Sequence, residues 1–395
     1  MGENEAALTG IDRLVSSDTH VFEPPEVWVE RIEPQYRDRA PRTVAEGDDE
    51  WWYVDGLRTN SFAGGVQAGV RFEDASQLRT AARFDEVRPG GYDPEAHLAD
   101  NLTDGVVGSV LYPTEGLLLY GVPDTGLLNA CCVAYNDWIA DFCRHDPRRL
   151  CGVAMLNTDD PSWAADELER SVEAGVRGGM IPVSLPAGTF YDDPRFDVLW
   201  ERAAALRAPL SLHLGTVRAA SDGSGAFTND LRSVRASAIV NQDYWLRNTL
   251  TDLILGGVFE RHPALKIGAI EHELGWAPYF VDSMDFCYDQ RARRKGWHRF
   301  ADPEVLPSDY FTSNVFASFQ SDAVGIELRR YFGEGALMWG SDYPHTESTF
   351  PRSRELLAEL LRDVPAAEQT AILVDNVVAL YGLDVTASPT PGGGS

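Results

Sequence analysis

Lysine is nearly absent from this chain: among 34 basic residues only Lys266 and Lys295 are lysines, and the rest are arginines. A Schiff base, or a lysine carbamate bridging two metals, would have to use one of these two. Lys266 opens an apolar run instead of closing it, and Lys295 sits in Arg-Ala-Arg-Arg-Lys-Gly-Trp, a stretch read as loop, so neither is placed for such chemistry. Basic runs are also lacking. Against 61 acidic residues the formal charge is -27, which repels phosphate backbones and anionic lipid and excludes nucleic acid and membrane surfaces as partners. The acids are scattered, so they read as a solubility device and not as an interaction tail. No apolar run is long enough to span a bilayer, and the acidic opening has no apolar core of a secretion signal, so a cytoplasmic protein is expected. The five cysteines (Cys131, Cys132, Cys143, Cys151, Cys287) are odd in number and lack ligand spacing, and they read as reduced and mostly buried. No Gly-x-Gly-x-x-Gly joins a strand to a helix, which removes the usual mark of dinucleotide binding.

What the chain does have is a regular alternation. Its 395 residues, 44% of them hydrophobic, suffice for one large barrel. Short apolar runs at 14–20, 106–111, 150–156, 176–182, 209–215, 265–270, 314–319 and 337–342 read as buried strands. Most are separated by helical periodicity, such as Leu128, Cys131, Cys132, Tyr135, Trp138, Ile139 and Phe142 on one face. Eight strands separated by helices, without an internal repeat, predict a closed parallel (β/α)8 TIM barrel of the α/β class with long insertions at its C-terminal mouth. The expected organisation is an N-terminal arm over 1–13, one barrel domain over 14–384 and a flexible tail over 385–395. Insertions are expected at about 30–98, 217–239 and 281–312. The first shows no sustained period and reads as a lid over the mouth or an interface between copies.

Chemistry-bearing side chains fall at the ends of these runs. The first closes on Asp18-Thr-His20, whose two polar side chains are spaced to share one strand face. The fifth carries His213 in Leu-Ser-Leu-His-Leu-Gly-Thr, the sixth runs into Glu271-His272-Glu273, and the eighth stops at Gly-Ser-Asp342. A barrel gathers such ends around one axis. Asp18, His20, His213 and Asp342 would then offer oxygen and nitrogen ligands to a divalent metal, zinc, manganese or iron by donor type, with a position left for water. His345, in the loop after Asp342, reads as a group that orients Asp342, with substrate contact as the alternative. Glu115 and Glu271 also follow strands. Either could bridge to a second metal, but an orienting or surface role is preferred. His97, His145, His262 and His298 lie in loop or helix contexts and read as structural. Arg291, Arg293 and Arg294 with Trp297 read as a solvated face.

Four segments, Asp-Thr-His-Val-Phe-Glu-Pro-Pro-Glu-Val-Trp, Leu-Ser-Leu-His-Leu-Gly, Glu-His-Glu-Leu-Gly-Trp-Ala-Pro and Gly-Ser-Asp-Tyr-Pro-His, together resemble the aminocarboxymuconate-semialdehyde-decarboxylase-like branch of the amidohydrolase superfamily. The likeness runs over about 14–383. It implies a distorted form of the (β/α)8 TIM barrel holding a divalent metal, zinc first with manganese or iron as alternatives, bound through His213 and Asp342, and a catalytic role for His272 and Asp342. It also implies a homodimer. In many members the opening motif carries a second histidine where this chain has Phe22, so Asp18 and His20 are taken together as the ligands there. The implied activity is hydrolysis of an ester, thioester, amide or lactone by metal-activated water. The alternative is metal-dependent, non-oxidative decarboxylation of an aromatic or enol acid. The partner in either case is a small-molecule substrate.

Overall fold

The computed structural model describes residue 8 and residues 11–220, 235–297 and 299–386. Most of the expected loop at 217–239, His298, most of the expected arm and nearly all of the expected tail therefore lie outside the described residues.

Eight parallel strands form the centre: β1 (Leu14–Val21), β5 (Val106–Pro113), β6 (Leu150–Met155), β7 (Gly178–Ile181), β8 (Leu210–His213), β9 (Ile267–Ile270), β10 (Val315–Phe319) and β11 (Leu337–Trp339), hydrogen-bonded in that order. Between β1 and β5 the chain forms an antiparallel sheet of β2 (Arg42–Glu46), β3 (Asp49–Val54) and β4 (Leu57–Ser61). Nearly every residue of the eight parallel strands is buried. That burial on both faces explains why the strands read as continuous apolar runs and not as alternating ones. The result is a (β/α)8 barrel, nearly closed, with helices such as Thr125–Cys143, Pro161–Glu173 and Asp197–Leu206 between the strands. Asp124 and Asp160 cap the first two of these through their carboxylates, as short polar side chains do at helix starts.

The seam between β1 and β11 positions the site. The Asp342 amide donates to the Asp18 carbonyl (2.9 Å) and the His20 amide to the Tyr343 carbonyl (2.7 Å). Side chains supplement these bonds: Ser17 Oγ donates to the Trp339 carbonyl (3.0 Å), and Ser16 Oγ lies 3.2 Å from Ser341 Oγ. Gly340 lets the strands approach this closely, because a β-carbon there would lie 2.5 Å from Asp18 Cβ.

Two expectations about the insertions are corrected. The first insertion is not without regular structure, since it contains β2, β3 and β4, turning at Gly47 and at Asp55-Gly56. Trp52 anchors this sheet to the barrel by an edge-to-face contact with Trp28, ring centroids 5.3 Å apart. The third insertion, read as loop, begins as a long helix, Ala277–Lys295. Phe280, Met284, Tyr288 and Ala292 recur every fourth residue and are buried, and that stripe outweighs the surrounding charge. Arg291 and Arg294 on this helix are exposed. Among the described residues no helix is long and apolar enough to cross a membrane.

His97, on the helix Pro94–Thr103, is fully buried against Tyr343 and Phe142. Its Nδ1 donates to the Gly90 carbonyl (2.7 Å), and among the described residues its Nε2 has no partner. Burial lowers its pKa to about 4, so the fold favours the neutral ring. A depressed histidine contributes stability above its unfolded pKa near 6.5 and loses it as pH falls towards 4. Urea unfolding between pH 7 and 4 should show a loss of about 3 kcal/mol from this group. The loss should be missing in His97→Asn, which keeps a donor for Gly90 but does not titrate.

Candidate metal centre at the barrel mouth

β1, β8, β9 and β11 carry the functional candidates to one end of the barrel. Asp18, His20 and His213 are each at most 1% exposed, as is Asp342 just beyond β11. Asp18 Oδ1 lies 3.4 Å from His20 Nε2 and 3.5 Å from His213 Nε2, and Asp342 Oδ1 lies 3.4 Å from His20 Nε2. Donor atoms of Asp18, His20, His213 and Glu271 all fall within 4.8 Å of one another, as do those of His20, Asp342 and His345.

The two imidazoles are locked in one tautomer. His20 Nδ1 lies 2.8 Å from the Pro113 carbonyl and His213 Nδ1 lies 2.9 Å from the Leu214 carbonyl. A carbonyl only accepts, so each Nδ1 carries the proton and each Nε2 presents a lone pair to the cluster. Burial, and then the neighbouring His345, hold the His20 ring below its usual pKa. Burial opposes charge on Asp18, but the facing His20 and His213 imidazoles hold its carboxyl well below the usual range.

Whether these residues suit a cation is decided by their unsatisfied atoms. Both carboxylate oxygens of Asp18, Nε2 of His20, Nε2 of His213 and Oδ2 of Asp342 are buried with no hydrogen-bond partner among the described residues. Leaving so many polar atoms unpaired costs roughly 1–3 kcal/mol each. The donor atoms of Asp18, His20 and His213 lie within 4.8 Å of one another, with Asp342 against His20, so a divalent ion would engage these lone pairs and the residues fit such a group.

The remaining candidates surround this point. His272 is 3% exposed, neither ring nitrogen makes a well-formed hydrogen bond among the described residues, and burial together with His213 lowers its pKa to about 3. It also borders a cleft of 250 Å³ shared with Trp276 and Val240. His345 Nδ1 lies 2.8 Å from Asp342 Oδ1, and its Nε2 lies 3.0 Å from Thr114 Oγ1. Burial opposes a proton on this ring, but Asp342 raises its pKa overall. His345 thus bridges Asp342 and Thr114. Glu271 follows β9 at φ 63°, with Oε2 3.6 Å from His213 Nε2. Burial, and then the carboxylates of Asp342 and Asp18, push its carboxyl far up. Glu115 is not brought into the cluster. It is buried at the start of the helix Glu115–Leu119, where the Thr59 hydroxyl donates to it, and burial raises its pKa far above the carboxylate range.

Three neighbours escaped the sequence reading. Thr114 follows β5 as an ordinary loop residue. Glu23, in the quoted Glu-Pro-Pro stretch, accepts from the amides of Thr114 (3.3 Å), Glu115 (3.0 Å) and Gly116 (3.0 Å), which fixes the loop that presents Thr114. Arg71, on the short helix Val70–Glu73, has a half-buried guanidinium whose Nε lacks a partner among the described residues and which feels the carboxylates of Glu347 and Asp342. None of the three sits in a spacing pattern that local sequence could reveal.

A family profile described as amidohydrolase matches residues 112–383. A gamma-resorcylate decarboxylase from Rhodococcus jostii is 27% identical over 232 residues, 53% of this chain and 64% of that protein, so less than two thirds of its length is spanned. Among solved structures, an amidohydrolase of Mycobacterium avium subsp. paratuberculosis superposes with a TM-score of 0.74 at 20% identity, covering 94% of this chain and 99% of the other. The 5-carboxyvanillate decarboxylase of Novosphingobium aromaticivorans, solved with bound manganese, superposes with a TM-score of 0.66 at 19% identity over 94% and 97% of the two chains. At these identities the structural likeness is one of fold.

Proposed function

Because this chain belongs to the amidohydrolase family, we propose that it is a metal-dependent enzyme that removes the carboxyl group of an aromatic acid without oxidation. The observation that carries this reading is the convergence of buried, unpartnered oxygen and nitrogen atoms from Asp18, His20, His213 and Asp342 at the mouth, with His272 beside them. Hydrolysis, the first expectation from the sequence, would use the same cluster. Decarboxylation is favoured because relatives named for it match this chain in sequence and in fold. We assign manganese in preference to zinc, since the carboxylates suit it and the 5-carboxyvanillate decarboxylase holds it. We keep the expected cytoplasmic location, and for assembly a homodimer, the latter supported by the exposed apolar side chains of Val240, Tyr279 and Phe286.

When bound, the ion would supply positive charge that attracts and polarises the substrate's anionic oxygens. His272, kept neutral by burial, donates an N–H to that anion without carrying a charge of its own. Asp342 and His345 share a proton across their 2.8 Å contact, and Thr114 holds the far side of the His345 ring. Asp342 passes this proton to the ring carbon that bears the carboxylate. The carbon–carbon bond then breaks, its electrons return to the ring, and CO2 leaves, so the proton replaces the lost group. Solvent restores the proton through His345, which is partly exposed.

Arg71 is placed to receive a substrate carboxylate, because its Nε is unpaired and its charge lies near Asp342. A charge-assisted hydrogen bond is worth roughly 1.5–3 kcal/mol. Arg71→Met should therefore raise KM by about tenfold or more while leaving kcat within about twofold. The activity itself is tested by offering manganese-loaded protein gamma-resorcylate, 5-carboxyvanillate and a set of activated esters and lactones. Release of CO2 from an aromatic acid is expected. Ester or lactone cleavage without CO2 would restore the hydrolytic reading.

A further inference from the structure

The four donor atoms that lie together are not the four expected from the sequence. Asp18, His20, His213 and Glu271 form the group whose atoms all lie within 4.8 Å of one another. Asp342 belongs to a second group that shares only His20 with the first. Ligands 2.0–2.4 Å from one ion stand at most about 4.8 Å apart, so the first group has the dimensions of a coordination shell.

Glu271 reaches this position through a turn that local sequence does not favour. It adopts φ 63°, and Glu273 two residues later adopts φ 54°. Side-chain-bearing residues in this region cost roughly 1–2 kcal/mol each. The turn is held from outside: Glu273 accepts from the amides of Gln320 (3.3 Å) and Ser321 (3.2 Å), and Asp322 accepts from those of Leu274 (2.9 Å) and Gly275 (2.6 Å). With the backbone fixed this way, the Glu271 carboxylate lies against His213 Nε2, and among the described residues no hydrogen-bond donor reaches it. His213 is 0% exposed and the Glu271 side chain 24%, so Glu271 closes the cluster on its solvent side.

Resting on the metal-dependent reading above, we infer that Glu271 is a direct ligand of the ion. With Asp18, His20 and His213 it makes a compact set of two carboxylates and two imidazoles, and Asp342 stands beside that set against His20. The two carboxylates of the set match the charge of a divalent ion.

Equilibrium dialysis of Mn²⁺ against metal-stripped, full-length protein tests this, with wild type, Glu271→Gln and His213→Ala compared. Replacing an outer partner of a ligand weakens metal binding by about 10–100-fold, so loss of a ligand should exceed about 100-fold in Glu271→Gln. A smaller loss overturns the inference. Crystals of wild type soaked in Mn²⁺ give an independent answer if the variant does not fold. A Glu271 oxygen about 2.0–2.6 Å from the anomalous peak supports the assignment, and an ion bonded only to the other residues refutes it. Absence of manganese from wild type as well as from His213→Ala would instead remove the metal-dependent reading, and this inference with it.

Discussion

His213→Ala is expected to bind almost no divalent ion and to lose decarboxylase activity by about a thousandfold or more. Its Nε2 is a buried imidazole donor with no hydrogen-bond partner among the described residues, aimed by the bond from Nδ1 to the Leu214 carbonyl. Without it the remaining donors keep their charge but lose a neutral ligand that no nearby group replaces. Several kcal/mol of charge stabilisation in the transition state would go with the ion, and about 4 kcal/mol corresponds to a thousandfold in rate. Thermal unfolding supplies a readout apart from catalysis. A ligand at a thousand times its Kd stabilises the native state by about 4 kcal/mol. Added Mn²⁺ should therefore raise the Tm of wild type and leave that of His213→Ala unchanged. A variant that keeps one tightly held equivalent of manganese would rule out the cluster as the metal centre.

Asp342→Asn should lower kcat by about a thousandfold, in the middle of the range for loss of a general acid or base. The amide is nearly the same size, so the seam bond from the Asp342 backbone to the Asp18 carbonyl is retained and the barrel should stay closed. What disappears is a group that can hold a proton between His345 and the substrate. Decarboxylation in D₂O separates this role from ion binding. The wild-type product should carry one deuterium at the carbon that lost CO2, and the variant, at saturating Mn²⁺, should form that product at the reduced rate. Activity within tenfold of wild type would assign the proton transfer to another residue, with His272 the first to examine.

The barrel strands were legible because burial on both faces leaves no ambiguity of period. The second barrel strand, expected at 106–111, is found at Val106–Pro113, and the fifth, expected at 209–215, at Leu210–His213. The small sheet of β2, β3 and β4 was missed. Its strands are partly exposed and their apolar residues are spaced irregularly, although Asp55-Gly56 is a hairpin signal in its own right. The helix Ala277–Lys295 was missed because arginines and acids mask a buried stripe that the spacing of Phe280, Met284, Tyr288 and Ala292 does carry.

From the chain alone one can read how many buried strands it makes and that Asp18, His20, His213, His272 and Asp342 stand where those strands end. Both follow from local periodicity, which depends only on neighbours in sequence. Which of these groups approach within bonding distance of one another was settled by the closed barrel. The carbonyls of Pro113 and Leu214 choose the imidazole tautomers, the seam at Gly340 brings Asp18 against Asp342, and contacts from Gln320, Ser321 and Asp322 hold the turn that delivers Glu271. Separations of 3–5 Å between residues hundreds of positions apart are set by register and closure, and no local pattern encodes those.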